Sequence, residues 1–181
     1  MVITGSVSYD RRDRGNSSRL ADRQGHRCTI DGKMEYEVEL TTTAESPTAV
    51  VAATTTWERF PTLWKEMLDQ VWAFLRDSDL RTDGHNVMLY KDDIPNVEVG
   101  VQVTRPFMPT GHVVPSSLPG GRVARTVHRG PYDRLSEPHR AVREWCAARG
   151  LVLAGPRWEI YGDWREDPAA LETEVCYLLA G

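Results

Sequence analysis

From Met34 onward the apolar residues recur with two distinct periods. "EYEVEL" (35–40) alternates, setting Tyr36, Val38 and Leu40 on one side of a half-buried strand. "AVVAATTTW" (49–57) predicts a second strand, rich in small and β-branched residues. In "FPTLWKEMLDQVWAFL" (60–75) the period changes. Trp64, Met67, Leu68, Val71, Trp72 and Leu75 fall at i, i+3, i+4, i+7, i+8 and i+11, the stripe of a one-faced helix, and Pro61 suits its first turn. "NVMLY" (86–90) and "NVEVGVQV" (96–103) return to strand, the latter with Val97, Val99, Val101 and Val103 inward. Pro106, Pro109, Pro115 and Pro119, with Gly111, Gly120 and Gly121, interrupt the pattern and read as a linker. Beyond it, "RVARTVHRG" (122–130) predicts a strand. Residues 132–150 predict a helix with Leu135, Val142 and Trp145 inward and Gly150 as its stop. Pro138 implies that this helix starts late or bends. "RWEIYGDW" (157–164) and "ETEVCYLLA" (172–180) predict the last two strands.

The second series repeats the first. "MLYKDD" lies over "EIYGDW", which matches Tyr90 with Tyr161, and "VEVGVQV" lies over "TEVCYLL", which matches Glu98 with Glu174. The expected fold is therefore α+β. Two β-α-β-β units, residues 34–104 and 122–181 joined by a linker at 105–121, form one antiparallel sheet with both helices on one face and a cleft between the halves.

"GPRWEIYGDW" (155–164) raises a chemical question, because Glu159 stands between Trp158 and Ile160. Alternation separates Trp158 and Ile160 from Arg157, Glu159 and Tyr161. With Trp158 and Ile160 assigned to the helix-covered core, Glu159 and Tyr161 fall on the uncovered face, together with Tyr90, Met88, Glu98 and Glu174. A carboxylate among rings at a junction of half-domains suits a small-molecule site, since ring faces attract organic cations and the acid supplies counter-charge. The plainer alternative is that Glu159 pairs with an arginine of a neighbouring strand, such as Arg125, or lies in solvent. Trp64 and Trp72 read as core by helical spacing, and Trp57 reads as core or pocket rim. His128 and His139 lack metal-ligand spacing and read as structural or surface residues.

Composition narrows the class. With 40% hydrophobic and 27% charged residues, the chain has enough apolar surface for a globular core. It has no apolar run of membrane-spanning length and no secretory h-region. Cys28, Cys146 and Cys176 are odd in number and widely spaced, which suits reduced thiols in a cytoplasmic protein. Residues 1–33 differ from the rest: seven Lys and Arg stand against four Asp, few positions are apolar, and no period is present. They read as a disordered tail or a mis-assigned start. The rest of the chain is acidic, which argues against nucleic acid as a direct partner. No G-x-S-x-G, HExxH, P-loop or Rossmann fingerprint occurs, so no metal and no cofactor is expected.

The stretches "HRGPY" (128–132), "GPRWEIY" (155–161) and "DP…LETEV" (167–175) resemble the GyrI-like small-molecule-binding family, also called the bacterial transcription activator effector-binding domain. The resemblance is specific over roughly 120–180 and rests on the order of elements over 49–103. It implies the duplicated fold and a cleft that takes amphipathic or cationic organic molecules. Glu159 and Tyr161 match the acid and tyrosine of the family's "EIY" motif, with Tyr90, Trp57 and Tyr132 as further cleft aromatics. Regulators of this family carry a helix-turn-helix ahead of the cleft domain, and residues 1–33 do not fit one, so a stand-alone domain or one acting with a separate regulator or enzyme partner is expected.

Three functions follow as alternatives. The first is capture or sensing of a bulky, partly cationic compound by Glu159, Tyr161, Tyr90, Trp57 and Tyr132. The second is hydrolysis of electrophilic, cyclopropane-type toxins, with Glu159 and Tyr161 as catalytic groups. The third is a protein-interaction module. Capture is the reading the residues favour.

Overall fold

The computed structural model describes residues 36–82 and 84–181. The basic segment 1–33 lies outside the described residues, and so does Cys28. The elements follow in the order β1 (Glu39–Thr43), β2 (Ser46–Thr54), α1 (Phe60–Arg76), β3 (Asn86–Tyr90), β4 (Asn96–Gln102), β5 (Val114–Leu118), β6 (Gly121–Arg129), α2 (Ser136–Ala148), β7 (Leu153–Tyr161) and β8 (Glu172–Leu179). The strands form one sheet in the order β1-β6-β8-β7-β3-β4-β2-β5, with antiparallel pairing throughout. Exchanging the halves leaves this order unchanged. A pseudo-twofold axis therefore runs between β3 and β7, where Met88 pairs with Glu159. The fold is the duplicated α+β arrangement expected from the pattern.

Each helix lies over the outer strands of its half, α1 on β2 and β4 and α2 on β6 and β8. The stripe of α1 buries Phe60, Met67, Val71 and Leu75 against Ala49, Val97, Val99 and Val101. The stripe of α2 buries Val142, Trp145 and Cys146 against Ala124, Val175 and Tyr177. Pro138 lies in the first turn of α2, where its missing N–H costs no helical bond, so the helix starts late rather than bending there. At the other end Gly150 takes φ +65°, and the following N–H of Leu151 bonds Cys146 O at 3.0 Å, closing the helix. The central strands β3 and β7 are left as a floor between the two helices.

The opposite face is not open. Leu118 of β5, at one edge of the sheet, packs in one cluster with Val87, Leu89, Trp158, Cys176 and Val123 of β6, next to the other edge. Only a sheet curled on itself brings these together. The short β1–β2 and β5–β6 connections meet where its two ends approach, with Ser117 Oγ donating to Glu45 Oε1 at 2.5 Å and Thr43 Oγ1 to Pro119 O at 3.5 Å. Gly100 serves the same curvature, because a Cβ there would overlap Ala49 O of the adjacent strand.

Three local expectations change. The linker is not without structure: Val114–Leu118 form β5, an edge strand beside β2, where Pro115 is tolerated. Tyr36 and Val38 are buried ahead of β1 rather than within it, while Leu40 inside β1 is 45% exposed. β2 ends at Thr54, which leaves Trp57 in the turn leading to α1.

Candidate functional site

The register of β7 reverses the face assigned to its side chains. Glu159 lies opposite Met88 and Val175, both of which pack in the helix-side clusters, while Trp158 and Ile160 belong to the cluster inside the curled sheet. Glu159 and Tyr161 therefore face the helices, in the floor between them. Glu98 and Glu174 do not join them. They pair with Leu89 and Ile160 on the other face, where Glu98 meets Lys91 Nζ at 2.5 Å and Ser116 Oγ at 2.7 Å, and Glu174 meets Arg125 at 3.2 Å. Arg125 is held by Glu39 and Glu174 and is not the partner of Glu159.

The pseudo-twofold explains what surrounds Glu159. Tyr90 and Tyr161 each stand two residues beyond the Met88–Glu159 pair, so the axis brings their hydroxyls together. Both donate to the same Glu159 oxygen, Tyr161 at 2.5 Å and Tyr90 at 3.2 Å. Met88, at the place equivalent to Glu159, sets its sulfur beside the same two hydroxyls, at 3.3 and 3.8 Å. The other carboxylate oxygen meets His139 Nε2 at 2.7 Å. With Nε2 donating to the carboxylate, His139 Nδ1 accepts from the Tyr177 hydroxyl at 2.9 Å. Glu159 is only 4% exposed, so three donors replace its water.

The remaining expected residues extend this group at both ends. The Trp57 ring lies 5.8 Å from that of Tyr90, and Phe60, the first residue of α1, sets its edge against Tyr90 at 5.7 Å. Tyr132, in a short 3-10 turn before α2, meets Tyr161 edge-on at 5.3 Å. Trp57, Tyr90, Glu159, Tyr161 and Tyr132 thus form one continuous string across the floor. Its ends are open to solvent, with Trp57 at 48% and Tyr132 at 40% exposure. Its centre is closed, so a ligand reaches Glu159 only if side chains part. A separate depression of about 480 Å³ lies between α1 and residues 110–113, and its lining includes none of this group.

Electrostatics follow from burial. The Tyr90 and Tyr161 hydroxyls have their pKa pushed well above the ordinary phenol value, by desolvation first and by the Glu159 charge second. Burial also raises Tyr177 and Tyr132. These phenols therefore keep their protons and act as donors.

Two residues of the site were not singled out by the sequence. His139, which reads as structural or surface, is a direct partner of Glu159. Its signal was helical: with Leu135, Val142 and Cys146 it forms an i, i+4, i+7, i+11 stripe facing the sheet. Arg157 shares the Glu159 face, and its guanidinium lies 5.4 Å from the Tyr90 ring centre and 5.7 Å from that of Trp57. Among the described residues no group of three or more His, Cys, Asp or Glu is placed to hold a metal ion, and no helix is long and apolar enough to cross a membrane.

The family described as the GyrI-like small molecule binding domain matches residues 34–179. Among solved structures, the EcmrR C-terminal domain is similar with a TM-score of 0.69 at 18% identity, covering 80% of this chain and 98% of that one. The EcmrR chain in a DNA complex matches with a TM-score of 0.70 at 19% identity over 80% of this chain, and the match spans 57% of that longer protein. SAV2435 bound to tetraphenylphosphonium matches with a TM-score of 0.61 at 13% identity, covering 82% of this chain and 95% of that one. No curated protein matches the chain.

Proposed function

Because the chain belongs to the GyrI-like small molecule binding family, we propose that it captures a bulky, partly cationic or amphipathic organic molecule over Glu159, for sensing or sequestration in the cytoplasm. The observation that carries this reading is the carboxylate itself. Glu159 is buried between two half-domains and walled by Tyr90, Tyr161 and the nearby Trp57 and Tyr132. No Lys or Arg forms an ion pair with it among the described residues. A buried acid held only by phenols and one imidazole is costly to desolvate. A cation sliding between the rings offsets that cost by charge and by contact with the ring faces. Both carboxylate oxygens already accept hydrogen bonds, and His139 is itself tied to Tyr177, an arrangement that favours capture over ring-opening hydrolysis.

Tetraphenylphosphonium, found on the structural relative SAV2435, is a direct probe. Titration into the full chain, followed by tryptophan fluorescence and calorimetry, is expected to show saturable binding. Glu159→Gln is expected to weaken it about tenfold or more, because the variant removes the buried counter-charge facing the phosphonium. Equal affinity in the variant would remove the carboxylate from the proposed role.

A further inference from the structure

The aromatic wall beside Glu159 is already occupied by a cation of the chain's own. Arg157 stands two residues before Glu159 on the same face of β7, so the two side chains are rooted about 7 Å apart. Its side chain is only 15% exposed, and its guanidinium lies against the rings of Trp57 and Tyr90. One nitrogen is engaged: Nη1 donates to Asp93 Oδ1 at 3.1 Å and to Asp92 O at 3.5 Å. Asp93 is 99% exposed, so this counter-charge is largely screened by water. Nε and Nη2, which form the other edge of the planar fork, have no hydrogen-bond partner among the described residues. That edge matches the two oxygens of a carboxylate. Tyr90 lies between the two charges: burial raises its pKa first, the negative charge of Glu159 raises it further, and the positive charge of Arg157 lowers it.

We propose that Arg157 is the second pole of the site, receiving through its Nε–Nη2 edge the carboxylate of an amphoteric aromatic ligand whose cationic end rests at Glu159. The preferred ligand class is then a zwitterion rather than a simple lipophilic cation. This rests on the reading of Glu159 as the ligand's counter-charge and adds the selectivity of that site. A purely cationic molecule must compete with the guanidinium for the face of Trp57. A molecule that also carries an acid turns the same guanidinium into a contact.

Two dyes separate the cases: rhodamine 6G, a cationic ethyl ester, and its free acid, which differs by a carboxylate in place of the ester. Both are titrated into the full chain and into Arg157→Gln, Arg157→Lys and Glu159→Gln, with fluorescence anisotropy as the readout. The wild type is expected to bind the acid about fivefold or more tighter than the ester. Arg157→Gln is expected to abolish or reverse that ratio, with ester binding improved because the ester no longer competes with the guanidinium for the face of Trp57. Glu159→Gln is expected to weaken both dyes. If Arg157→Gln does not fold, Arg157→Lys gives the same test: a ratio falling toward one supports the fork, and an unchanged ratio overturns it. Ester binding equal to or tighter than acid binding in the wild type overturns the Arg157 proposal while leaving the Glu159 reading intact. Binding of neither dye by the wild type overturns both.

Discussion

His139 carries a consequence that stability measurements can reach. It bridges Glu159 and Tyr177, two groups buried far from water. His139→Phe keeps a planar ring, somewhat larger than the imidazole, but removes both nitrogens, so a carboxylate oxygen and a phenol lose their shared partner. The expected cost is about 1–3 kcal/mol, the penalty of an unsatisfied buried polar group. Urea unfolding checks it, and a variant as stable as wild type would mean that neither bond contributes. Glu159 and the tyrosines around it were legible in the sequence, because an acid among apolar neighbours in a strand stands out and the internal repeat aligns Tyr90 with Tyr161. His139 was legible in position but not in role: helical spacing puts it on the inward stripe, while its partner comes from a strand 20 residues later. The turn of Arg157 toward Trp57 was not legible, since it depends on a loop 100 residues earlier in the chain.

At the scale of elements, the helices and most strands follow from periodicity, but the choice of face does not. A period of two separates Trp158 from Glu159 without saying which side a helix covers. Here both sides of β7 are buried, one beneath the gap between the helices and the other inside the curl of the sheet, with Trp158 at 2% and Glu159 at 4% exposure. The more apolar side, that of Trp158 and Ile160, is the one inside the curl and not the one beneath the helices. β5 was hidden for a related reason. "VPSSL" has no alternation of its own and forms because β2 offers an unpaired edge. The curl itself makes a prediction. Gly100 sits where a methyl group would strike backbone rather than a flexible side chain, so its neighbours cannot give way cheaply. Gly100→Ala is expected to destabilise the protein by about 1–3 kcal/mol or more through overpacking. The thermal midpoint of the variant checks this, and an unchanged midpoint would show that β2 relaxes outward.

Across the whole molecule, the tyrosines link fold stability to alkaline pH. Tyr90 and Tyr161 join the two halves at the axis, Tyr177 supports His139, and Tyr36 anchors the segment before β1 through His128 Nδ1 at 2.8 Å. Burial raises all four, with Tyr36 pushed up to about 12 by burial first and by Glu137 second. The unfolded chain releases the same protons from about pH 10. Above that point the folded state holds protons that the unfolded state has lost, so stability is complete below about pH 10 and falls as pH rises further. Urea midpoints are expected to change little between about pH 8 and pH 9.5 from these groups and to drop steeply by about pH 11. Phenolate absorbance of the buried tyrosines should appear with unfolding and not before it. Tyr36→Phe removes one of the linked protons, so its stability should fall less steeply with pH over the interval from about 10 to about 12. If the variant and the wild type share one slope, the Tyr36 hydroxyl titrates freely in the folded protein and the anchor on His128 holds no proton against solvent.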